Sequence, residues 1–365
     1  MNLIVPFRLI AGSLCFLYLI LPLVFATSVR EVLALAPTPP ADFAVGALYS
    51  GCTFLIILLV PKDIVIRSDA LKMNRNAARV IAWLTILLSA YFFANALRDL
   101  DTVIYFDKVA AHAAYEELNS EYGLRLKYNV LLCLFLVTGL KAGMRGWGAL
   151  FFVVPILFEV VFSKHNYATH LLTYLFLLTW NSRMSRKAVL ISFATIVGTL
   201  LAARFIFYSD FQNDPAQSLA AMLGEFTISW QSIPSALSYS GSKYTGTTEW
   251  YSDIISNAAG LEIGLAGNPV AEAIFYFGDW AGLGVIGGAL VFMLLARASA
   301  RNFAAGVALL VATYYLRDCF RTGWSLGLSV FAKSFAIFSA ITLGLMAIHF
   351  LGSRLSANAS IPHHS

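Results

Sequence analysis

The chain has 365 residues, 59% of them hydrophobic and only 12% charged, and its mean hydropathy is +0.74. A soluble domain carries about 25% charged residues, so this composition excludes an ordinary water-soluble globule. The net charge of +5 is no nucleic-acid signal, because in a chain of apolar runs the position of the basic residues matters more than their number.

A helix needs roughly 20 mainly apolar residues to cross about 30 Å of hydrocarbon. Ten runs reach or approach that length: 3–26, 43–60, 80–97, 129–140, 147–161, 168–180, 189–208, 271–295, 303–316 and 328–351. The first carries one basic residue, Arg8, and small residues near Ala26. It is longer than the apolar core of a cleaved signal peptide, so an uncleaved signal-anchor is expected. Lys and Arg collect in cytoplasmic loops. Here Lys62, Arg67, Lys72, Arg75 and Arg79 follow the second run, and Lys141 and Arg145 the fourth. Arg183, Arg186 and Lys187 follow the sixth, Arg297 and Arg301 the eighth, and Arg354 the tenth. Every even-numbered connection is basic, so both termini are expected in the cytoplasm. The fold class is all-α: a polytopic integral membrane protein of about ten transmembrane helices, one membrane domain over 1–365.

The outer connections are then 27–42, 98–128, 162–167, 209–270 and 317–327. The long one, 209–270, carries Asp210, Asp214, Glu225, Glu249, Asp253 and Glu262 against a single Lys243. Leu219, Met222, Leu223, Phe226 and Trp230 recur at helical spacing, as do Ile254, Ile255, Ala258 and Leu261, which predicts two short amphipathic helices. Tyr239, Tyr244, Trp250 and Tyr251 lie in the polar segment joining them. The helices either rest on the bilayer with aromatics at headgroup level or form a lid, with Tyr244, Trp250 and Tyr251 stacking on a sugar. The two readings are compatible. Cys15, Cys52 and Cys133 fall within apolar runs and Cys319 at an outer edge, with no CxxC spacing, so neither a disulfide framework nor a zinc site is indicated.

An ionisable residue at membrane depth is expensive and marks a candidate site. Glu159, Arg204, Glu272, Asp279 and Lys333 lie within the runs. Glu272 and Asp279, seven apart, share a face if their helix is continuous. Arg317 and Arg321, four apart, project together if the ninth run continues as helix. Interhelical ion pairs, or arginines snorkelling to ordinary lipid, are the plainer explanation for any one of them. As a set at one depth beside a polar loop, they suit an anionic lipid-linked ligand, because the guanidinium fork binds phosphate bidentately. His112, His165 and His170 are ordinary interfacial histidines or proton carriers. Asp99 and Asp101 form a DxD pair that could hold a divalent cation, although two aspartates so spaced are common by chance.

The segment 264–287, GLAGNPVAEAIFYFGDWAGLGVIG, resembles the end of the large outer loop and the following span of Wzy-type oligosaccharide repeat-unit polymerases. Arg317 and Arg321 at the next outer edge have counterparts there, as do the span number, the cytoplasmic termini and the single dominant late loop. The motif-level likeness covers about 60 residues, and the large loop lacks the arginine motif of some members, having no arginine at all. The resemblance implies an inverting, metal-independent glycosyltransferase of the bacterial inner membrane that needs no cofactor. It would move a growing glycan from undecaprenyl diphosphate to a lipid-linked repeat unit on the periplasmic side, building O-antigen, lipopolysaccharide or exopolysaccharide. Glu272 would act as base or position the acceptor, and Asp279 would orient an arginine. Arg317 and Arg321, with Arg204, would hold the diphosphate. A chain-length regulator is the partner expected by family analogy. The alternatives are a lipid-linked oligosaccharide flippase, an O-antigen ligase-like transferase and a metal-dependent transferase using Asp99 and Asp101. A flippase is expected to show internal repeats and charges through the full depth of the membrane, which this chain lacks. Sequence separates ligase from polymerase poorly.

Overall fold

The computed structural model describes residues 2–32, 37–67, 73–98, 108–144, 146–162, 226–239, 251–258, 267–299 and 303–359, with isolated positions between 191 and 198. The described chain is mostly helical. Among the described residues, five helices are long and apolar enough to cross a membrane: Phe7–Thr27, Pro40–Ile57, Arg75–Arg98, Pro269–Ser299 and Trp324–Ile348. The all-α membrane character expected from hydropathy is therefore present, with fewer qualifying spans than ten. Runs four, five and nine are helices that miss the standard. α6 (Leu124–Ala142) carries Arg125, Lys127 and Lys141, while α7 (Ala149–Val161) and α12 (Phe303–Tyr314) have 13 and 12 residues. Runs six and seven fall almost wholly outside the described residues.

One departure from all-α occurs at the start. β1 (Asn2–Val5) pairs antiparallel with β2 (Ile64–Arg67), so the first span begins at Phe7 rather than Leu3. Pro6 closes the strand, and the Arg8 amide donates to the Lys62 carbonyl at 3.3 Å. α1 (Phe7–Cys15) then runs through a π-helical turn, Phe16–Ile20, into α2 (Leu21–Val32). α3 (Pro40–Ile57) ends in carbonyls with no helical partner, and Arg8 Nε and Arg297 Nη2 donate to two of the carbonyls beyond it, Val60 at 2.8 Å and Leu59 at 3.2 Å. Arg75, opening α4 (Arg75–Arg98), donates in the same way to Ala142 O at the end of α6. The connections that follow the second, fourth and eighth runs are thus joined by arginines that donate to carbonyls at or just beyond helix ends.

Aromatic packing holds α4, α5 (Lys108–Tyr122), α6 and α7 together. Phe135 stacks on Phe151 at 4.3 Å, and Phe158 meets Phe93 at 5.1 Å and Phe162 at 4.9 Å. Each such pair contributes about 0.5–1.5 kcal/mol beyond area burial.

The long polar insertion, 209–270, does not merely rest on a bilayer surface where it is described. Phe226, Trp230 and Ile233 are buried in the protein. Trp230 packs on Phe43 of α3, and Phe226 meets Tyr18 of the π-helical turn at 5.3 Å. Tyr18 lies nine residues inside Thr27, so this segment reaches about 13 Å along the first span from its Thr27 end. The tight turn Ser229–Gln231 and α8 (Ser232–Ser238) follow. Irregular backbone is tolerated at this depth only when protein satisfies it. Ser232 Oγ donates to Ser229 O at 2.6 Å, and Gln231 Nε2 donates to Ala26 O at 3.1 Å while its Oε1 accepts from Arg30. Gly46 makes room: a Cβ there would lie 3.0 Å from Ile233.

Candidate functional site

The expected site residues that the structure does bring together meet around Glu272. The helix carrying it, α10 (Pro269–Phe277), starts where sequence chemistry says it should. Pro269 occupies the first turn, and Asn268 Oδ1 accepts from Val270 N at 2.9 Å and Ala271 N at 2.8 Å. Asn268 Nδ2 donates to Ser229 O at 2.8 Å, tying the cap to the buried insertion. Glu272 sits in the first turn, where the helix dipole favours an anion.

Glu272 is 6% exposed. Its two oxygens accept from Ser325 N at 3.3 and 3.2 Å. Ser325 is the second residue of α14 (Trp324–Ala359), so this amide is one of the orphan donors of a helix start. A carboxylate buried away from water needs such partners, and here two helix N-termini converge on it. Gly323, between α13 (Leu316–Thr322) and α14, closes over the group. It has φ 155° and ψ 167°, and a Cβ there would stand 2.5 Å from Glu272 Oε2.

Tyr251 opens α9 (Tyr251–Ala258) and lies fully buried against Phe275 and Tyr276. Its hydroxyl donates to the carbonyls of Asn268, at 3.0 Å, and Thr322. No room remains for a side chain at Gly267, whose Cβ would collide with that hydroxyl. The expected role of Tyr251, stacking on a sugar, is therefore corrected. Both ring faces are covered by protein, and the residue is a latch between the insertion, the α10 cap and the end of α13. Burial first, and then the Glu272 carboxylate, push its phenol well above the ordinary value. Tyr251→Phe should destabilise the protein by about 1–3 kcal/mol, because the Thr322 carbonyl loses its phenol donor while the Asn268 carbonyl keeps only the Glu272 amide. A phenol whose pKa rises on folding contributes stability that is complete below the unfolded value near 10 and is lost as pH climbs through the folded value. Thermal unfolding in micelles should thus show an alkaline fall in the wild type above about pH 10 that Tyr251→Phe diminishes.

Arg317 and Arg321 share α13, as their spacing predicts. Arg317 is buried and Arg321 half-buried. Arg317 pairs with a residue the sequence reading passed over: its Nε and Nη2 both donate to Asp318 Oδ1, at 3.1 and 2.9 Å. The depth also differs from expectation. α12 has 12 residues and rises only about 18 Å, and α13 packs against α1, the π-helical turn and α10. The arginine helix lies beside the body of the first span, not beyond its Thr27 end. At its entry Tyr315 donates to Asn129 Oδ1 on α6.

Asp279 does not join Glu272. Gly278, with φ 53° and ψ −117°, breaks the helix, and a tight turn Gly278–Trp280 leads into α11 (Ala281–Ser299). The seven-residue spacing therefore does not give a shared face, and Asp279 is exposed while Glu272 is buried. Glu159 is buried too, accepting from Tyr115 Oη at 2.9 Å, with Arg125 over that ring at 5.6 Å. Lys333 lies exposed on α14. Arg204, Tyr244, Trp250, Asp99, Asp101, His165 and His170 lie outside the described residues. Among the described residues, no group of three His, Cys, Asp or Glu is placed to hold a metal ion.

The chain matches no protein-family model, no curated protein and no solved structure.

Proposed function

We propose that the protein is a multi-pass glycosyltransferase of the bacterial inner membrane, with ten spans and both termini inside. In this reading it polymerises oligosaccharide repeat units carried on undecaprenyl diphosphate at the periplasmic face. The observation that carries the reading is Glu272, a buried carboxylate held between two helix starts, sealed by Gly323, and packed beside the helix of Arg317 and Arg321. The topology draws support from the way Arg8, Arg75 and Arg297 tie the basic connections to one another. The outer segments are likewise tied by Tyr115, Gln231, Tyr251 and Tyr315.

The acceptor hydroxyl attacks the anomeric carbon of the donor glycan from the face opposite the diphosphate. A new carbon–oxygen bond forms, the bond from that carbon to the phosphate oxygen breaks, and undecaprenyl diphosphate departs with the bonding pair. Glu272 takes the hydroxyl proton, and the arginines of α13, with Arg204, meet the charge that develops on the leaving group. Tyr244 and Trp250 contribute to holding the sugars. No step calls for a metal ion or a cofactor, and a chain-length regulator is the proposed protein partner.

A deletion strain tests this directly. Single repeat units on undecaprenyl diphosphate should accumulate in the outer leaflet while long chains disappear. Units trapped on the cytoplasmic side would make the protein a flippase, and polymer completed but left on its carrier would make it a ligase.

A further inference from the structure

The Glu272 carboxylate is gripped from two sides by backbone distant in the chain. It stands in the first turn of α10, whose cap is Asn268, and its oxygens accept from Ser325 N at the start of α14. That direct grip is weak. One N–H faces two oxygens at 3.3 and 3.2 Å, well beyond the 2.7–2.9 Å or so of a strong charge-assisted bond. The Tyr251 hydroxyl joins the two sides more firmly. It is shared between Asn268 O, at 3.0 Å on the cap of the Glu272 helix, and Thr322 O, next to the Gly323 that closes over the carboxylate. Packing of the ring on Phe275 and Tyr276 fixes where the hydroxyl sits. A second thread runs beside it, since Asn268 Nδ2 donates to Ser229 O at 2.8 Å. Both described parts of the long insertion therefore end on the backbone that holds Glu272.

We propose that Tyr251 is a positioning residue for Glu272: its hydroxyl holds the α10 cap against the exit of α13, and that bridge keeps the carboxylate sealed. A reactant reaches Glu272 only when the insertion, through Tyr251, lets go of one of the two carbonyls. The long insertion is thereby coupled to the reactivity of one buried carboxyl. The inference deepens the reading of Glu272 as a base, and rests on that reading only for what the seal protects.

The experiment measures carboxyl reactivity in the full-length protein in micelles. The probe is dicyclohexylcarbodiimide, an apolar reagent that adds to a protonated carboxyl and remains on it as an N-acylurea, with nothing leaving. Peptide mass spectrometry follows the labelling rate at each carboxyl. Glu159 is the internal reference, because it is as buried as Glu272, each being 6% exposed, and is held by Tyr115 instead. Tyr251→Phe should speed labelling of Glu272 by roughly tenfold, as loss of a buried hydrogen bond that opposes local opening would, and leave the Glu159 rate unchanged. Equal Glu272 rates in wild type and variant overturn the proposal. So does a rise by the same factor at Glu159, which is what general loosening of the structure would give. Should Tyr251→Phe fail to fold, Gly267→Ala replaces it, because the added methyl would collide with the phenol and drive it off its carbonyls. The same two comparisons then decide. Polymer lost in Glu272→Gln, with labelling indifferent to Tyr251, keeps the base and removes the latch. Normal polymer from Glu272→Gln, with the expected change in labelling, does the reverse.

Discussion

Glu272→Gln, which removes the proposed base of the proposed polymerase, is expected to lower polymer formation at least about a hundredfold while the protein remains folded, in line with the usual worth of a general base. The substitution is nearly isosteric. Both Glu272 oxygens accept from Ser325 N in the wild type, so the amide oxygen of Gln can keep one bond and the α10–α14 junction should survive. What it cannot do is take a proton from the acceptor hydroxyl. Polymer length on silver-stained gels, alongside unfolding temperature in micelles, separates chemistry from folding. Normal polymer from a well-folded Glu272→Gln protein would remove Glu272 from the mechanism. Glu272→Asp refines the result, because its shorter side chain keeps the charge but draws away from both Ser325 N and the reacting centre.

Gly323→Ala is expected to be the most damaging small substitution in the chain. Two costs add. The backbone at φ 155°, ψ 167° belongs to a region that only glycine occupies freely, and a side chain there costs about 1–3 kcal/mol. The new methyl would also stand 2.5 to 2.8 Å from three atoms of the Glu272 carboxyl, so the carboxylate must move. Loss of stability of about 2–4 kcal/mol and loss of polymer should appear together. Two comparisons isolate the causes. Gly287→Ala meets nothing within 4 Å and should leave both readouts unchanged. In a Glu272→Ala background the steric part vanishes, so Gly323→Ala should then cost less stability than in the wild type. Equal costs in the two backgrounds would mean that Gly323 serves the turn alone.

Both variants bear on a junction of which the sequence exposed only parts. Glu272 was legible because a carboxylate inside an apolar run is rare enough to call for a reason. The start of its helix was not, since the eighth run was expected from 271 and the structure has Asn268 as the cap and Pro269 in the first turn. Its partners were not. Ser325 lies 53 residues away in an unremarkable stretch, and its backbone amide is common to every residue but proline. Gly323 carries a weak sequence signal, since a glycine ending a short charged helix often holds an unusual conformation. Asp318 was in plain view between the two arginines, but the i, i+4 spacing drew attention to Arg317 and Arg321 and away from the neighbour that binds one of them.

The misreadings have one origin. Asp279 was grouped with Glu272 on the assumption of an unbroken helix, and Gly278 breaks it. Trp230 and Phe226 have the spacing of a surface helix, yet their partners are Phe43 and Tyr18 on other spans. Tyr251 has the chemistry of a sugar platform and the position of a buried latch. In each case periodicity identified which residues share a side of a segment but not what that side faces.

Composition and hydropathy alone determined that this is a helical membrane protein, because burying 30 Å of uninterrupted backbone in hydrocarbon demands long apolar helices whatever their arrangement. They also marked the charges worth attention, because an ionisable group at that depth is retained only for a purpose or a partner. The tertiary structure decided which of those charges meet. It brought Glu272, Gly323, Ser325, Arg317 and Asp318 to neighbouring elements, packed part of the long insertion against Tyr18, and left Asp279 and Lys333 exposed. Such contacts depend on where helices break and which faces they turn to one another, and those choices are made by packing among segments distant in the chain.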